Sequence, residues 1–232
     1  MGIYKGIDQE WFPIISVDLT KANLSQLQAE ADSFLEAKAR LIHFEVSDGH
    51  FAPELTLGPP VIASIKTVLW KEVHLMIREP ARKINSYLEA GANSIILQYE
   101  TSPELEDLLM AIDSFYQEGQ RVLRGVALSP STRLEVLEPF LEDLDLVTLL
   151  TADPLSKALS PLSSIKERFT QLKNLIAKGP KRVLLAIEGQ VNRESLKELS
   201  RLKADILVAG EGLFQETDPL KAFYDFNQIL HQ

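Results

Sequence analysis

The chain has 232 residues, 45% of them hydrophobic and 25% charged, with a net charge of -9 and no cysteine. A globular protein of this size and composition can bury a full core, and the missing cysteines exclude disulfides, thiolate metal sites and cysteine nucleophiles. The acidic balance argues against nucleic acid as the main partner, and without an apolar leader or an apolar run near ~18 residues neither export nor a membrane span is expected, so a cytoplasmic location is the default.

An apolar run at 13–17 (PIISV) predicts a first strand closed by Asp18, and helical spacing of Leu24, Leu27, Ala31, Phe34 and Leu35 predicts a helix over 22–38. Residues 41–46 alternate Ile42, Phe44 and Val46 against His43 and Glu45, the pattern of a second strand. That strand breaks at Asp48-Gly49 into a loop ending at Pro59-Pro60. A short helix over 61–67 and a strand over 72–77 follow. Pro80 suits the first turn of a helix running to Ala90, which Gly91 ends. Further on, strands are predicted at 94–98, 121–128, 144–150, 182–187 and 205–209. They alternate with helices at 103–117, 131–141 (opened by a Ser/Thr cap), 162–178, 193–202 (capped by Asn192) and 219–230.

Eight strand–helix units rich in Val, Ile and Leu, with no linker between them, predict a parallel sheet covered by helices. At this length a closed (β/α)8 barrel, a TIM barrel spanning 1–232 as one domain, is favoured over an open doubly wound sheet. Active sites of such barrels lie at the C-terminal strand ends. Those ends bring Ser16 and Asp18; His43, Glu45, Ser47 and Asp48; His74 and Met76; Gln98 and Glu100; Thr151 and Asp153; Glu188; and Gly210, Glu211 and Gly212. Two imidazoles with two carboxylates make a nitrogen–oxygen site for a divalent cation such as zinc, iron, manganese or cobalt. Glu45 and Glu188 come from strands two and seven, so they can also serve as base and acid on opposite faces of a ligand. The competing reading of each is a satisfied core histidine or a buried ion-pair partner.

The segments HFEVSDGHFAPELTLGPP, VHLMI, EPARKINSYLEAGANSI and VALSP, framed by PIISVDL and DILVAGEGLF, resemble ribulose-phosphate 3-epimerases and related ketohexose-phosphate epimerases. The resemblance implies a (β/α)8 barrel of ribulose-phosphate-binding type. It implies a divalent metal held by His43, Glu45, His74 and Glu188. It further implies epimerisation at carbon 3 of a ketose or ketose phosphate, with Glu45 and Glu188 moving the proton through a metal-stabilised enediolate. Ser16, Ser47, Met76, Gly189, Gly210, Glu211 and Gly212 are the expected substrate contacts. A small-molecule sugar or sugar phosphate is the expected partner, with a homo-oligomer left open.

The sequence also departs from the family pattern. Both acids are Asp in the family and Glu here, which carries each carboxylate roughly 1.5 Å further. Pro13 replaces a serine, Ser47 and Leu150 replace methionines, and the loop TADPLSKALSP after strand six has no glycine. The family's paired glycines after strand seven become Gly189-Gln190, and its Gly-Ser after strand eight becomes Gly210-Glu211. Weak binding of a standard sugar phosphate is expected from these changes. The alternative function they raise is a non-catalytic barrel that binds a ligand or partner through a degraded phosphate site.

Overall fold

In the computed structural model, which describes residues 12–117 and 119–232, the strands β1 (Ile14–Asp18), β2 (Leu41–Ser47), β3 (Trp70–Met76) and β4 (Ser94–Gln98) form one half of a parallel barrel. A short antiparallel hairpin, β5 (Tyr116–Gln117) with β6 (Gln120–Arg121), stands outside it. The other half consists of β7 (Leu123–Leu128), β8 (Leu146–Leu150), β9 (Leu184–Glu188) and β10 (Ile206–Ala209). β1 pairs in parallel with both β2 and β10, which closes the ring. This is the eightfold barrel expected from the alternating apolar runs. Among the described residues, no helix is long and apolar enough to cross a membrane.

Nearly every strand residue is buried because helices cover the outer face and side chains fill the inner one. Outward residues such as Ile42, Phe44, Val73 and Leu207 join the helices in one core. Inward residues form a second, smaller cluster that includes Leu41, Trp70, Leu123, Leu146, Leu184 and Ile206. That cluster is an apolar floor. The same inward rows continue toward the C-terminal ends as polar residues: Leu41 is followed at two-residue steps by His43, Glu45 and Ser47, and Trp70 by Glu72, His74 and Met76. The register sets Glu45 beside His74 and His43 beside Glu72.

Several helices are shorter than the periodicity predicts, for identifiable reasons. The expected helix over 22–38 begins as a 3-10 turn at Leu24–Gln26 and is α-helical only over Leu27–Glu36. The helix expected at 103–117 spans Leu105–Asp113, because the chain then turns into the β5–β6 hairpin. That hairpin also takes Arg121 away from the strand expected to begin there. The helix expected at 131–141 is a 3-10 helix over Leu134–Phe140 with no side-chain cap, and it contains Pro139, which has no N–H to donate to an α-helical ladder. The helix expected at 193–202 shrinks to Leu196–Ser200; Asn192 instead accepts from the amides of Glu194 and Ser195, holding a turn ahead of it. Pro219–Leu230 matches, with Asp218 accepting from Lys221 N at 2.9 Å as its cap. A short helix at Glu211–Phe214 has no counterpart in the periodicity.

Asp145, at the entry to β8, is a buried charge that ties several strands together. Its carboxylate meets Arg121 at 3.0 Å, Arg124 Nε at 3.2 Å and Lys181 at 2.8 Å, and it accepts from the Arg124 amide at 3.0 Å. Burial pushes its carboxyl up, but the hydrogen bonds and charges of Lys181, Arg124 and Arg121 outweigh this and hold it below the usual aspartate value. A carboxyl with a lowered folded pKa stabilises the fold above its unfolded value near 3.8 and loses that contribution as pH falls through its folded value. Asp145→Asn is therefore expected to cost about 3 kcal/mol, since the surrounding cations lose their buried partner. Urea unfolding at neutral pH checks this, and the difference from wild type should shrink as pH falls; a gap that stays constant to the acid limit of the folded state would contradict the assignment.

Candidate active site

Alternation along four strands aims His43, His74, Gln98 and Glu188 into the barrel above its floor. Among the described residues, His43, His74 and Glu188 each offer a ligand atom within 4.8 Å of the others, and all three are buried. His74 Nδ1 lies 2.9 Å from Glu188 Oε1, and His43 Nε2 lies 3.6 Å from Glu188 Oε2. The other nitrogen of His74 is occupied: Nε2 meets Gln98 Oε1 at 2.8 Å. Gln98 is fixed in turn, because its amide nitrogen donates to Glu100 and, at 3.1 Å, to Ser129 Oγ. A histidine that donates Nε2–H to Gln98 presents Nδ1 as a lone pair, the form that binds a metal.

Three buried atoms of this cluster have no hydrogen-bond partner: His43 Nδ1, His43 Nε2 and Glu188 Oε2. Unmade bonds of buried polar groups cost on the order of 1–3 kcal/mol each. A divalent cation bound by two imidazole nitrogens and a carboxylate satisfies the facing atoms together, and three protein ligands leave coordination positions open for a substrate. The donor set therefore fits zinc, iron, manganese or cobalt.

Charge in the cluster is arranged unevenly. Burial pushes the Glu188 carboxyl up, but the imidazoles of His74 and His43 prevail and hold it down to about 2. Burial depresses the His43 imidazole, yet Glu188, Glu72 and Asp18 raise it to about 9. Glu45 has the opposite fate to Glu188: burial, then repulsion from Asp18 and Glu188, lifts it to about 7 against the pull of Lys21. Lys21 Nζ holds Glu45 Oε2 at 2.6 Å, so Glu45 turns toward the mouth and lies outside the three-residue ligand cluster.

The mouth above the cluster is a cavity of about 300 Å³, lined by Glu45, Ser47, Met76, Glu188, Gly189, Gly210 and Glu211 among others. Two of the expected contacts do not line it. Ser16 is buried within the barrel and donates to Glu72, whose carboxylate stands 3.6 Å from His43 Nδ1. At Gly212 a Cβ would fall 2.1 Å from the Val191 carbonyl oxygen, so this glycine serves backbone packing. Gly189 is needed at the site itself: its φ is +117°, and a Cβ would approach Thr151 Oγ1 to 2.5 Å. Lys21 and Glu72 were not singled out from sequence. Glu72 was accessible, because it precedes His74 by two residues on one strand face; Lys21 lies in a short 3-10 turn with no periodic signal.

Fold and cluster together define a (β/α)8 barrel with a histidine–carboxylate centre at its C-terminal mouth. Residues 14–214 match the model of the ribulose-phosphate 3 epimerase family. The chain belongs to that family of isomerases. It is 32% identical over 211 residues to the ribulose-phosphate 3-epimerase of Bacillus subtilis (strain 168), covering 90% of this chain and 95% of the relative. It is 34% identical over 206 residues to that of Chlamydia pneumoniae, covering 87% and 88%. Among solved structures, 3-hexulose-6-phosphate synthase from Salmonella typhimurium superposes with a TM-score of 0.66 at 16% identity, over 94% of this chain and 99% of the other. KGPDC from Streptococcus mutans does so with a TM-score of 0.68 at 13% identity, over 95% and 98%. At such identities the two likenesses concern the fold.

The electrostatic coupling is testable without a metal. Glu188 raises both imidazoles, so Glu188→Gln is expected to lower the titration midpoints of His43 and His74 in the metal-free protein. NMR titration of the imidazole carbon-bound protons reads this directly, and unshifted midpoints would remove Glu188 from its place between the rings.

Proposed function

We propose that the chain is a divalent-cation-dependent epimerase acting beside a ketone, at carbon 3 of a ketose or ketose phosphate. The observation that carries this reading is the buried group of His43, His74 and Glu188, with ligand atoms within 4.8 Å of one another, beneath a cavity that Glu188 and Glu45 both line; the imidazoles hold the Glu188 carboxyl down while burial and like charge hold that of Glu45 up. Two acids whose environments push their pKa values apart are what a proton-out, proton-in reaction needs. Family membership and the printed names of the relatives support the reaction class.

A cation held by His43, His74 and Glu188 would supply Lewis-acid polarisation of the substrate carbonyl. One carboxylate takes the carbon 3 proton from one face, and the electron pair moves into an enediolate. The other carboxyl returns a proton to the opposite face, which inverts carbon 3. Glu45, whose carboxyl is raised by burial and by Asp18 and Glu188, is suited to act as acid in one direction and base in the other. Lys21 keeps the Glu45 carboxylate turned toward the mouth, where the reacting carbon would lie. Met76 covers part of the cavity wall with an apolar side chain that excludes water, while Gly189 and Gly210 leave room for the ligand.

The second reading is a non-catalytic barrel that binds a ligand or partner. The Lys21–Glu45 ion pair favours it, because a carboxylate already paired at 2.6 Å is a weaker base until the ammonium moves aside. Proton exchange separates the two. In deuterated water with a panel of ketoses and ketose phosphates and added divalent cation, the enzyme reading expects deuterium at carbon 3, loss of exchange on chelation, and recovery when the cation is restored. Glu45→Gln and Glu188→Gln are each expected to slow exchange by about 10²–10⁴-fold, the usual weight of general acid–base catalysis. Exchange at the full rate in either variant would contradict the two-carboxyl scheme. No exchange with any ketose or ketose phosphate would leave the binding reading.

A further inference from the structure

Glu72 is a buried carboxylate that the proposed proton transfers do not use. It sits on the inward row of β3, between Trp70 in the apolar floor and His74 at the cluster. It is only 2% exposed, and the cavity at the mouth is lined by Glu45 and Glu188 rather than by Glu72. A ligand in the mouth therefore does not touch it. Burying an ionised carboxylate costs several kcal/mol unless a partner compensates it. Among the described residues, its one ion-pair partner is His43, which the register of β2 and β3 sets directly beside it.

The two nitrogens of His43 face different carboxylates. Nε2 lies 3.6 Å from Glu188 Oε2, and Nδ1 lies 3.6 Å from Glu72 Oε2. Both ring nitrogens are buried and lack a hydrogen-bond partner. A shift of under about 1 Å brings Nδ1 within hydrogen-bond range of Glu72. Glu188 belongs, with His43 and His74, to the group of ligand atoms lying within 4.8 Å of one another, and Glu72 does not. Nε2 is therefore the nitrogen that faces this group, and Nδ1 is turned to Glu72.

Glu72 is itself held. The Ser16 hydroxyl, buried on β1, donates to the same Oε2. A carboxylate oxygen has lone pairs for more than one donor, and a carboxylate accepts without donating. Beside it, His43 is favoured in the tautomer that carries its proton on Nδ1, which leaves a lone pair on Nε2 for a metal. His74 shows the reverse order: Gln98 Oε1 lies 2.8 Å from Nε2 and leaves Nδ1 to face Glu188.

We propose that Glu72 is the positioning residue of His43, accepting a hydrogen bond from Nδ1–H and so presenting Nε2 to the cation. The proposal rests on the cation site of the epimerase reading. It adds that the two imidazoles bind through opposite nitrogens, Nε2 of His43 and Nδ1 of His74. Acceptors of this kind fix a ligand ring and raise its basicity, and their loss costs about 10–100-fold in metal affinity.

Zinc binding tests this without turnover. In the zinc-loaded wild-type chain, long-range proton–nitrogen NMR is expected to show His43 protonated at Nδ1 and metal-bound at Nε2, with the reverse in His74. Zinc on Nδ1 of His43 would overturn the proposal, whatever any variant does. Glu72→Met removes the acceptor at similar volume, and it is expected to weaken zinc about 10–100-fold in competition with a chromophoric chelator. Glu72→Gln, whose side-chain oxygen can still accept, is expected to recover part of that loss; no recovery would overturn the acceptor role. Equal affinity in wild type and both variants would reduce Glu72 to a packing partner of Ser16 and overturn the proposal. A wild-type chain that binds no zinc would sink the cation site, and this role with it. A chain that binds zinc in the expected tautomers but catalyses no exchange at carbon 3 would sink the epimerase reading alone.

Discussion

The site depends on one buried carboxylate set between two buried imidazoles. Glu188 lies at the end of β9 with its oxygens directed toward His74 at 2.9 Å and His43 at 3.6 Å. An ionised carboxylate in such a place costs several kcal/mol in lost hydration unless opposite charge compensates it. The imidazoles provide that charge when protonated, and a cation between them would provide it when they are neutral. Either way the barrel must hold three groups from three strands in register, and the parallel ladder through β2, β3 and β9 does so. The Gln98–Glu100 chain fixes the far side of His74, so the ring cannot turn away.

Around this centre the barrel separates two tasks by height. The apolar floor formed by Leu41, Trp70, Leu123, Leu146, Leu184 and Ile206 supplies burial and keeps water out from below. Two residues further along the inward rows of β2 and β3, and four further along that of β9, the side chains become ionisable. Glu45 and Glu188 begin as the same residue type and diverge because their neighbours differ. Glu188 faces imidazoles, whereas Glu45 faces Asp18 and Glu188 and is only partly relieved by Lys21. The extra methylene of each glutamate is consistent with this arrangement, since it lets Glu45 reach Lys21 while its backbone remains beside His74.

Strand order and the inward face were legible in the sequence because both follow from a two-residue period and from strands buried on both sides. His43, Glu45, His74 and Glu188 could be placed on one inner surface for that reason. Height along the barrel axis was less legible. Ser16 shares that inner face but lies too deep for the mouth, where it serves Glu72, and periodicity alone does not encode the stagger between strands. Loop residues were least legible. Lys21, Glu54 and Lys157 meet the site through ion pairs set by loop conformation, and the left-handed backbone of Lys157 (φ 59°) has no marker in composition. Helix lengths were overestimated at 103–117 and 131–141, where a hairpin and Pro139 overrode an amphipathic pattern.

We propose that His43, His74 and Glu188 form one divalent-cation site beneath the mouth. Anomalous diffraction from crystals soaked in manganese or cobalt tests it most directly. The expected result is a single strong peak within coordination distance, about 2.0–2.3 Å, of His74 Nδ1, a His43 ring nitrogen and a Glu188 oxygen. A peak held only by surface carboxylates, or none at this cluster under saturating metal, would contradict the account.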